Sequence, residues 1–211
     1  MEDKGCYYLV NTEQGSKGWK YMRKGRITMS NLGKVVGHAS AYYKGTMEQL
    51  ALELKGIYIP VFKKEELYRM NRGTAYEPIV RDILAKKLNV KIDETGFAIW
   101  KLDKRFGASL DGIIDSETGI EIKCPARMYG PILEYMKDKN RDPDDYSHIW
   151  RSQYDQIVGN GVITGRKYMY FCVYGIEDKK LFIQKIKVDY NYWNTFLYPT
   201  AKEFYEKYMA E

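Results

Sequence analysis

Residues 107–125 read Gly107-Ala-Ser-Leu-Asp111-Gly-Ile-Ile-Asp-Ser116-Glu-Thr-Gly-Ile-Glu121-Ile-Lys123-Cys-Pro125. Two short strand-like runs, 107–114 and 119–124, flank the turn Asp115-Ser116-Glu117-Thr118, the pattern of a β-hairpin. Side chains two apart on a strand share a face, so Ile120, Ile122 and Cys124 point one way and Glu121 and Lys123 the other. An antiparallel turn near 116–118 brings Asp111 close to Glu121, so that two carboxylates and one ammonium converge on one side of a sheet. Like charges about 4 Å apart at an effective dielectric of ~20 repel by on the order of 4 kcal/mol, a penalty that a divalent cation reverses. Magnesium takes oxygen ligands and keeps waters, so Asp111, Glu121 and the Ile122 carbonyl form a plausible partial shell. Lys123 could then orient a metal-activated water and offset charge on a phosphorane-like transition state. Spacing alone favours a plainer pattern, three exposed charges across a hairpin. Gly112 and Pro125, tight geometry at both ends, shift the balance toward a site.

Working outward, residues 74–88 read as a helix with an apolar stripe that includes Val80, Leu84 and Leu88. Glu77 lies on that stripe, facing the sheet, where it could join the acids. The rival is a capping box, Thr74-x-x-Glu77, and the residues alone lean slightly that way. Pro78 complicates it, since proline disfavours helical geometry in the residue before it. Further helices are expected from Ser30 to 39, from Thr46 to 55 with Gly56 as the stop, over 126–137, and over 147–161. Strands are expected at 97–100 and as an edge hairpin, 167–174 with 181–188. The polar stretch 137–145 reads as a loop joining two helices. The chain closes on an amphipathic helix carrying Trp193, Phe196, Leu197, Phe204 and Tyr208, kinked at Pro199. This order predicts an α/β or α+β fold with a central mixed sheet flanked by helices.

Length and composition narrow the class. A chain of 211 residues, 45% apolar and 29% charged, is neither disordered nor fibrous, and its 34 basic against 28 acidic residues leave +6. The longest apolar run, Tyr168 to Tyr174, is far below the ~20 residues that cross a bilayer. No apolar segment follows Met1, so no secretory signal is expected. Three separated cysteines exclude a disulfide scaffold and a Cys-x-x-Cys metal site, and two histidines cannot build a zinc finger or an HNH-type centre. Residues 17–26 hold Lys17, Lys20, Arg23, Lys24 and Arg26 with Trp19 and Tyr21 and no acid, which suits either a polyanion with bases to stack or a solvated basic turn.

In combination these segments resemble the phage lambda-type exonucleases, the YqaJ-like viral recombinase nucleases of the PD-(D/E)XK superfamily. The likeness runs from Gln14 to Val188 through five blocks in the family's order. They are Gln14-Gly-Ser-Lys-Gly-Trp-Lys-Tyr-Met-Arg23 continuing to Ser30, Arg72-Gly-Thr-Ala-Tyr-Glu77-Pro, Ser109-Leu-Asp111-Gly, Gly119-Ile-Glu121-Ile-Lys123-Cys-Pro125, and Gln156 to Gly165. The resemblance implies a single nuclease domain over 1–211, with a DNA-end-binding part over about 1–70, a restriction-endonuclease-like core over 71–190 and a final helix over 190–209. It implies Mg²⁺-dependent 5′→3′ degradation of double-stranded DNA ends, with Mn²⁺ able to substitute. The 3′ single-stranded overhangs so produced would serve recombination in a phage or virus. By the same likeness Asp111 and Glu121 hold metal, Lys123 contacts the attacking water and the scissile phosphate, and Glu77 is the helix acid of the active site, a further candidate ligand. Arg23 and Ser30 match the grip on a terminal 5′-phosphate, Ser109 a residue lining that site, and Gln156 a glutamine on the helix beside the sheet. Gln153 and Asn160 share its face, a stripe that could meet DNA or merely solvent. The likeness further implies a ring-shaped trimer, a single-strand annealing partner, no membrane, and a cytoplasmic or, for a virus of eukaryotes, nuclear location. Two departures stand out: Leu110 replaces the proline that precedes the first aspartate, and strand 168–174 lacks an acid, which marks it as core. The alternatives are an endonuclease or nickase of the same superfamily and a non-catalytic module that binds DNA ends.

Overall fold

The computed structural model describes residues 1–40 and 42–210. The first part of the chain holds β1 (Glu2–Asp3), β2 (Tyr7–Val10), α1 (Lys17–Arg23), β3 (Ile27–Thr28), α2 (Met29–Val35) and α3 (Met47–Lys55). The long helix α4 (Lys64–Leu88) leads into β4 (Phe97–Trp100), β5 (Phe106–Ala108), β6 (Gly112–Ile113) and β7 (Thr118–Lys123). Then follow α5 (Gly130–Lys137), α6 (Arg151–Ile163), β8 (Tyr168–Tyr174) and β9 (Leu181–Lys187). The class is α+β, as expected, but the single central sheet is not. One sheet has the order β1-β2-β4-β5-β3 and the other the order β6-β7-β8-β9, each mixing parallel and antiparallel pairs.

The division runs through the decisive stretch. Its first run ends in β5 on one sheet, where Ala108 pairs with Ala98, and resumes in β6 on the other, where Gly112 pairs with Ile120. Ser109, Leu110 and Asp111 therefore sit at the seam between the sheets. The hairpin itself is formed, since Ile113 pairs with Gly119 and the Asp111 N–H donates to the Ile120 carbonyl at 3.1 Å. Strand β7 continues parallel to β8, and β8 pairs with β9, which lies at the sheet edge.

The second sheet is covered on both faces. Ile120, Ile122 and Cys172 pack against Val80 and Leu84 of α4, so the isoleucines take the side their alternation predicts. The larger core joins Phe171 and Val173 of β8 to α2, α3, α6 and the C-terminal helical run. Helices α2 and α6 meet at bare backbone: a Cβ on Gly33 would fall 2.5 Å from the Ser152 Cβ, and one on Gly159 would fall 2.1 Å from the Met29 sulfur. The strand 168–174 is core, as its missing acid suggested.

Several boundaries shift for definite reasons. Helix α3 begins and ends as expected, with the Thr46 hydroxyl accepting from the Gln49 N–H at 3.2 Å and Gly56 in the left-handed conformation at φ 70°. Helix α4 starts ten residues before Thr74, where the Glu66 carboxylate accepts from the Lys63 N–H at 2.7 Å. Thr74 and Glu77 lie mid-helix and Pro78 is accommodated inside it, so the Thr74-x-x-Glu77 capping box does not exist. Helix α2 begins at Met29 with Thr28 at its cap, not at Ser30. The final helix alternates its hydrogen bonding: α over Tyr190–Tyr192, π over Trp193–Leu197, α over Tyr198–Phe204 and π over Tyr205–Met209. Pro199 has no N–H to donate and sits in the first turn of the α segment that follows the π turn, and the helix runs on through it. Trp193, Leu197 and Phe204 are buried along it, while Phe196 and Tyr208 sit at the border of the core.

Candidate active site

The seam between the sheets opens on a cavity of about 150 Å³ lined by Arg23, Ser30, Glu77, Ser109, Asp111, Glu121, Ile122, Lys123 and Gln156, with Gln14, Trp19 and Met29. Every side chain expected from the sequence thus meets in one chamber. Leu110, in place of the expected proline, is buried at 2% exposure and leaves Asp111 well fixed. The Asp111 Oδ2 accepts from the Ile122 N–H at 2.7 Å, and its main-chain carbonyl accepts from Arg81 Nε of α4 at 2.9 Å. Glu121 is 2% exposed and both of its oxygens are engaged. Oε1 accepts from Lys123 Nζ at 2.7 Å and Oε2 from Asn160 Nδ2 at 2.8 Å. Lys123 Nζ also donates to Gln156 Oε1 at 3.1 Å.

The charges explain one another. Burial pushes Glu121 up to about 8, with Asp111 and Glu77 adding to the rise and Lys123 opposing it. Burial also raises Asp111, opposed by Lys123, by the Ile122 N–H and by Arg81. Glu77, reaching in from α4, is pushed up to about 7 by burial and then by Asp111. Burial works against the Lys123 ammonium, yet Glu121 and Asp111 outweigh it and hold its pKa above the ordinary lysine value. Burial thus disfavours the charged form of all three acids, and a bound cation would restore it. Among the described residues no three His, Cys, Asp or Glu side chains form a ready metal cage. The donors on hand are oxygens, which with main-chain carbonyl and water fit magnesium or manganese and not a thiophilic metal.

The far wall carries an arginine. Arg23, at the end of α1, lies 4.1 Å above the Trp19 ring and donates from Nη2 to the Ser30 hydroxyl at 2.8 Å. The Trp19 indole N–H in turn donates to Ser109 at 2.8 Å. Burial lowers the Arg23 pKa to about 10, and no carboxylate among the described residues pairs with it. The basic segment 17–26 is therefore not merely a solvated turn: its Arg23 points into the chamber.

Three participants were not assigned from sequence. Arg81 contacts the Asp111 carbonyl, Trp19 braces Ser109 and Asn160 holds Glu121, so each meets the site through another residue, and that kind of contact leaves no mark in residue spacing. The stripe Gln153, Gln156, Asn160 does not face solvent. Gln153 donates to the Tyr129 hydroxyl at 3.4 Å and Asn160 is fully buried on Glu121.

Residues 18–165 match the YqaJ-like viral recombinase domain. The chain belongs to this family. Its fold is similar to the crystal structure of an alkaline exonuclease, LHK-Exo, from Laribacter hongkongensis. The two share 23% identity over 92% of this chain and 93% of that one, with a TM-score of 0.69. The same exonuclease in complex with dAMP aligns at 22% identity with the same coverage and TM-score. A phage related exonuclease from Haemophilus somnus 129PT aligns at 10% identity over 86% of this chain and 94% of that one, with a TM-score of 0.56. No curated protein matches the chain. Among the described residues no helix of this YqaJ-family protein is long and apolar enough to cross a membrane.

Proposed function

We propose that this YqaJ-family protein is a divalent-metal-dependent deoxyribonuclease that degrades double-stranded DNA from 5′-phosphorylated ends and leaves 3′ single strands. Family membership and the shared fold support the nuclease class. The observation that carries the finer reading is that one small chamber joins a cluster of buried acids and a lysine to an arginine without a carboxylate partner. Asp111, Glu121 and the Ile122 carbonyl would hold magnesium, with Glu77 close by as a further acid. When bound, the ion would neutralise the acids, acidify a water and stabilise charge on the phosphoryl oxygens.

The protein's own groups divide the remaining work. Lys123, held between Glu121 and Gln156, presents a fixed positive charge where a phosphodiester would be cut. Glu77, reaching in from α4, is placed to take a proton from an entering water and return it to a leaving oxygen. Arg23 and Ser30 offer a fork and a hydroxyl to a terminal phosphate, whose two charges match a guanidinium in a desolvated pocket better than one diester charge does. That preference for a dianion favours an end-directed enzyme over an endonuclease.

The test is digestion of linear duplex labelled at either terminus, with 5′-phosphate or 5′-hydroxyl ends, with and without Mg²⁺, beside closed circular duplex. Metal-dependent loss of the 5′ label from phosphorylated ends, with intact circles, supports the proposal. Cleavage of circles at a comparable rate would replace it with the endonuclease alternative.

A further inference from the structure

Helix α6 grips strand β7 at two points. Gln156 accepts from Lys123 Nζ at 3.1 Å, and four residues on, Asn160 Nδ2 donates to Glu121 Oε2 at 2.8 Å. Four residues of helix rise ~6.0 Å and two residues of strand ~6.6 Å, so the two pairs are in step, with helix and strand running in opposite directions. Asn160 is fully buried, and its Oδ1 has no hydrogen-bond partner. Against an ionised Glu121 the turned amide would set acceptor against acceptor, so the carboxylate in the form that holds a cation decides the orientation. A buried amide with one atom unsatisfied is costly to keep for packing alone, and an apolar residue of the same size would avoid that cost. Gly159 and Gly161 flank it and let α6 pack closely on other elements: a Cβ on Gly159 would lie 2.1 Å from the Met29 sulfur and one on Gly161 2.4 Å from Val188. This turn of α6 is thus tightly seated, with Asn160 between the two contacts.

We propose that Asn160 is a positioning residue for the metal-holding carboxylate. By occupying Oε2 while Lys123 occupies Oε1, it fixes the plane in which Glu121 meets the cation. The inference rests on the assignment of Glu121 as a metal-holding group under the proposed function. Groups that orient a ligand in this way typically change metal affinity or activity by 10–100-fold when removed.

The experiment compares the full-length wild type with Asn160→Leu, Asn160→Ala and Glu121→Gln. Magnesium chloride binding is followed by calorimetry without DNA, DNA-end binding is measured in chelator, and initial rates are taken across a magnesium titration. Asn160→Leu keeps the branched shape and loses the donor. It is expected to need 10–100-fold more Mg²⁺, in binding and in rate alike, while DNA-end binding in chelator is unchanged. Asn160→Ala should show the same rise in required Mg²⁺ even if it melts earlier, because the lost donor and not the packing is responsible. Wild-type magnesium titrations in a folded Asn160→Leu or Asn160→Ala protein would overturn the inference. If Glu121→Gln itself binds Mg²⁺ as the wild type does, the parent assignment fails instead. If Glu121→Gln loses the metal and both Asn160 variants keep it, only the role of Asn160 fails.

Discussion

The crowded acids make a prediction about stability that needs no substrate. Glu121 has an ordinary pKa of 4.5 and one of about 8 in the folded protein, so the folded state holds its proton more tightly than the unfolded chain does. The sign follows: the penalty is absent below about pH 4.5, grows as pH rises, and is complete above about pH 8. A displacement of that size corresponds to roughly 5 kcal/mol. Relaxation around the three acids reduces it, so on the order of 2–3 kcal/mol is expected between pH 5 and pH 8 in chelator. For a chain of this length that is a fall in Tm of about 5–10 °C. His148 works in the opposite direction, because burial holds it below its ordinary 6.5 and the folded state there prefers the neutral ring. Subtracting the profile of Glu121→Gln isolates the carboxylate. Thermal unfolding followed by circular dichroism at several pH values, with and without Mg²⁺, is the assay. Magnesium should raise Tm more at pH 8 than at pH 5, since it binds the charged form. A Tm that is flat across the window, or a magnesium effect of equal size at both ends, would refute the argument that these acids are held together against their own repulsion.

Other consequences concern single side chains. Lys123→Ala should lower turnover by about two to three orders of magnitude while leaving DNA-end binding intact, the signature of a lost transition-state contact; single-turnover digestion and gel-shift binding separate the two, and an unchanged rate would count against the assignment. Arg23→Ala should weaken activity on 5′-phosphorylated ends while sparing the slower 5′-hydroxyl ends; equal losses would reduce Arg23 to a general backbone contact. Gly159→Ala would drive a methyl group to 2.1 Å from the Met29 sulfur and should destabilise the protein by about 1–3 kcal/mol, read as a lower midpoint in urea.

How far the sequence spoke depended on whether a residue acts directly or through another. The alternation Ile120-Glu121-Ile122-Lys123 is a property of one strand, so the faces of β7 could be read from the sequence and the structure reproduces them. Glu77 depended on a start signal, and there the local rule misled: a Thr-x-x-Glu pattern is decisive only at a helix end, and packing of Val80 and Leu84 carries α4 straight through it. The two sheets were hidden because 107–114 reads as one strand-like run. Nothing in that run says that it changes partners after Ala108, since pairing with Ala98 and with Ile120 is a choice made across long distances in the chain. Yet that break places Ser109 and Asp111 at the seam, so the feature that was illegible is the one that creates the cavity. Asn160 shows the same limit from the other side. A lone amide between two glycines looks like a weak point in a helix, whereas here the glycines pack closely on Met29 and Val188 and the amide donates to Glu121. Residues that bear the chemistry can be found from their own type and spacing; residues that hold them in place become visible only once the elements are packed.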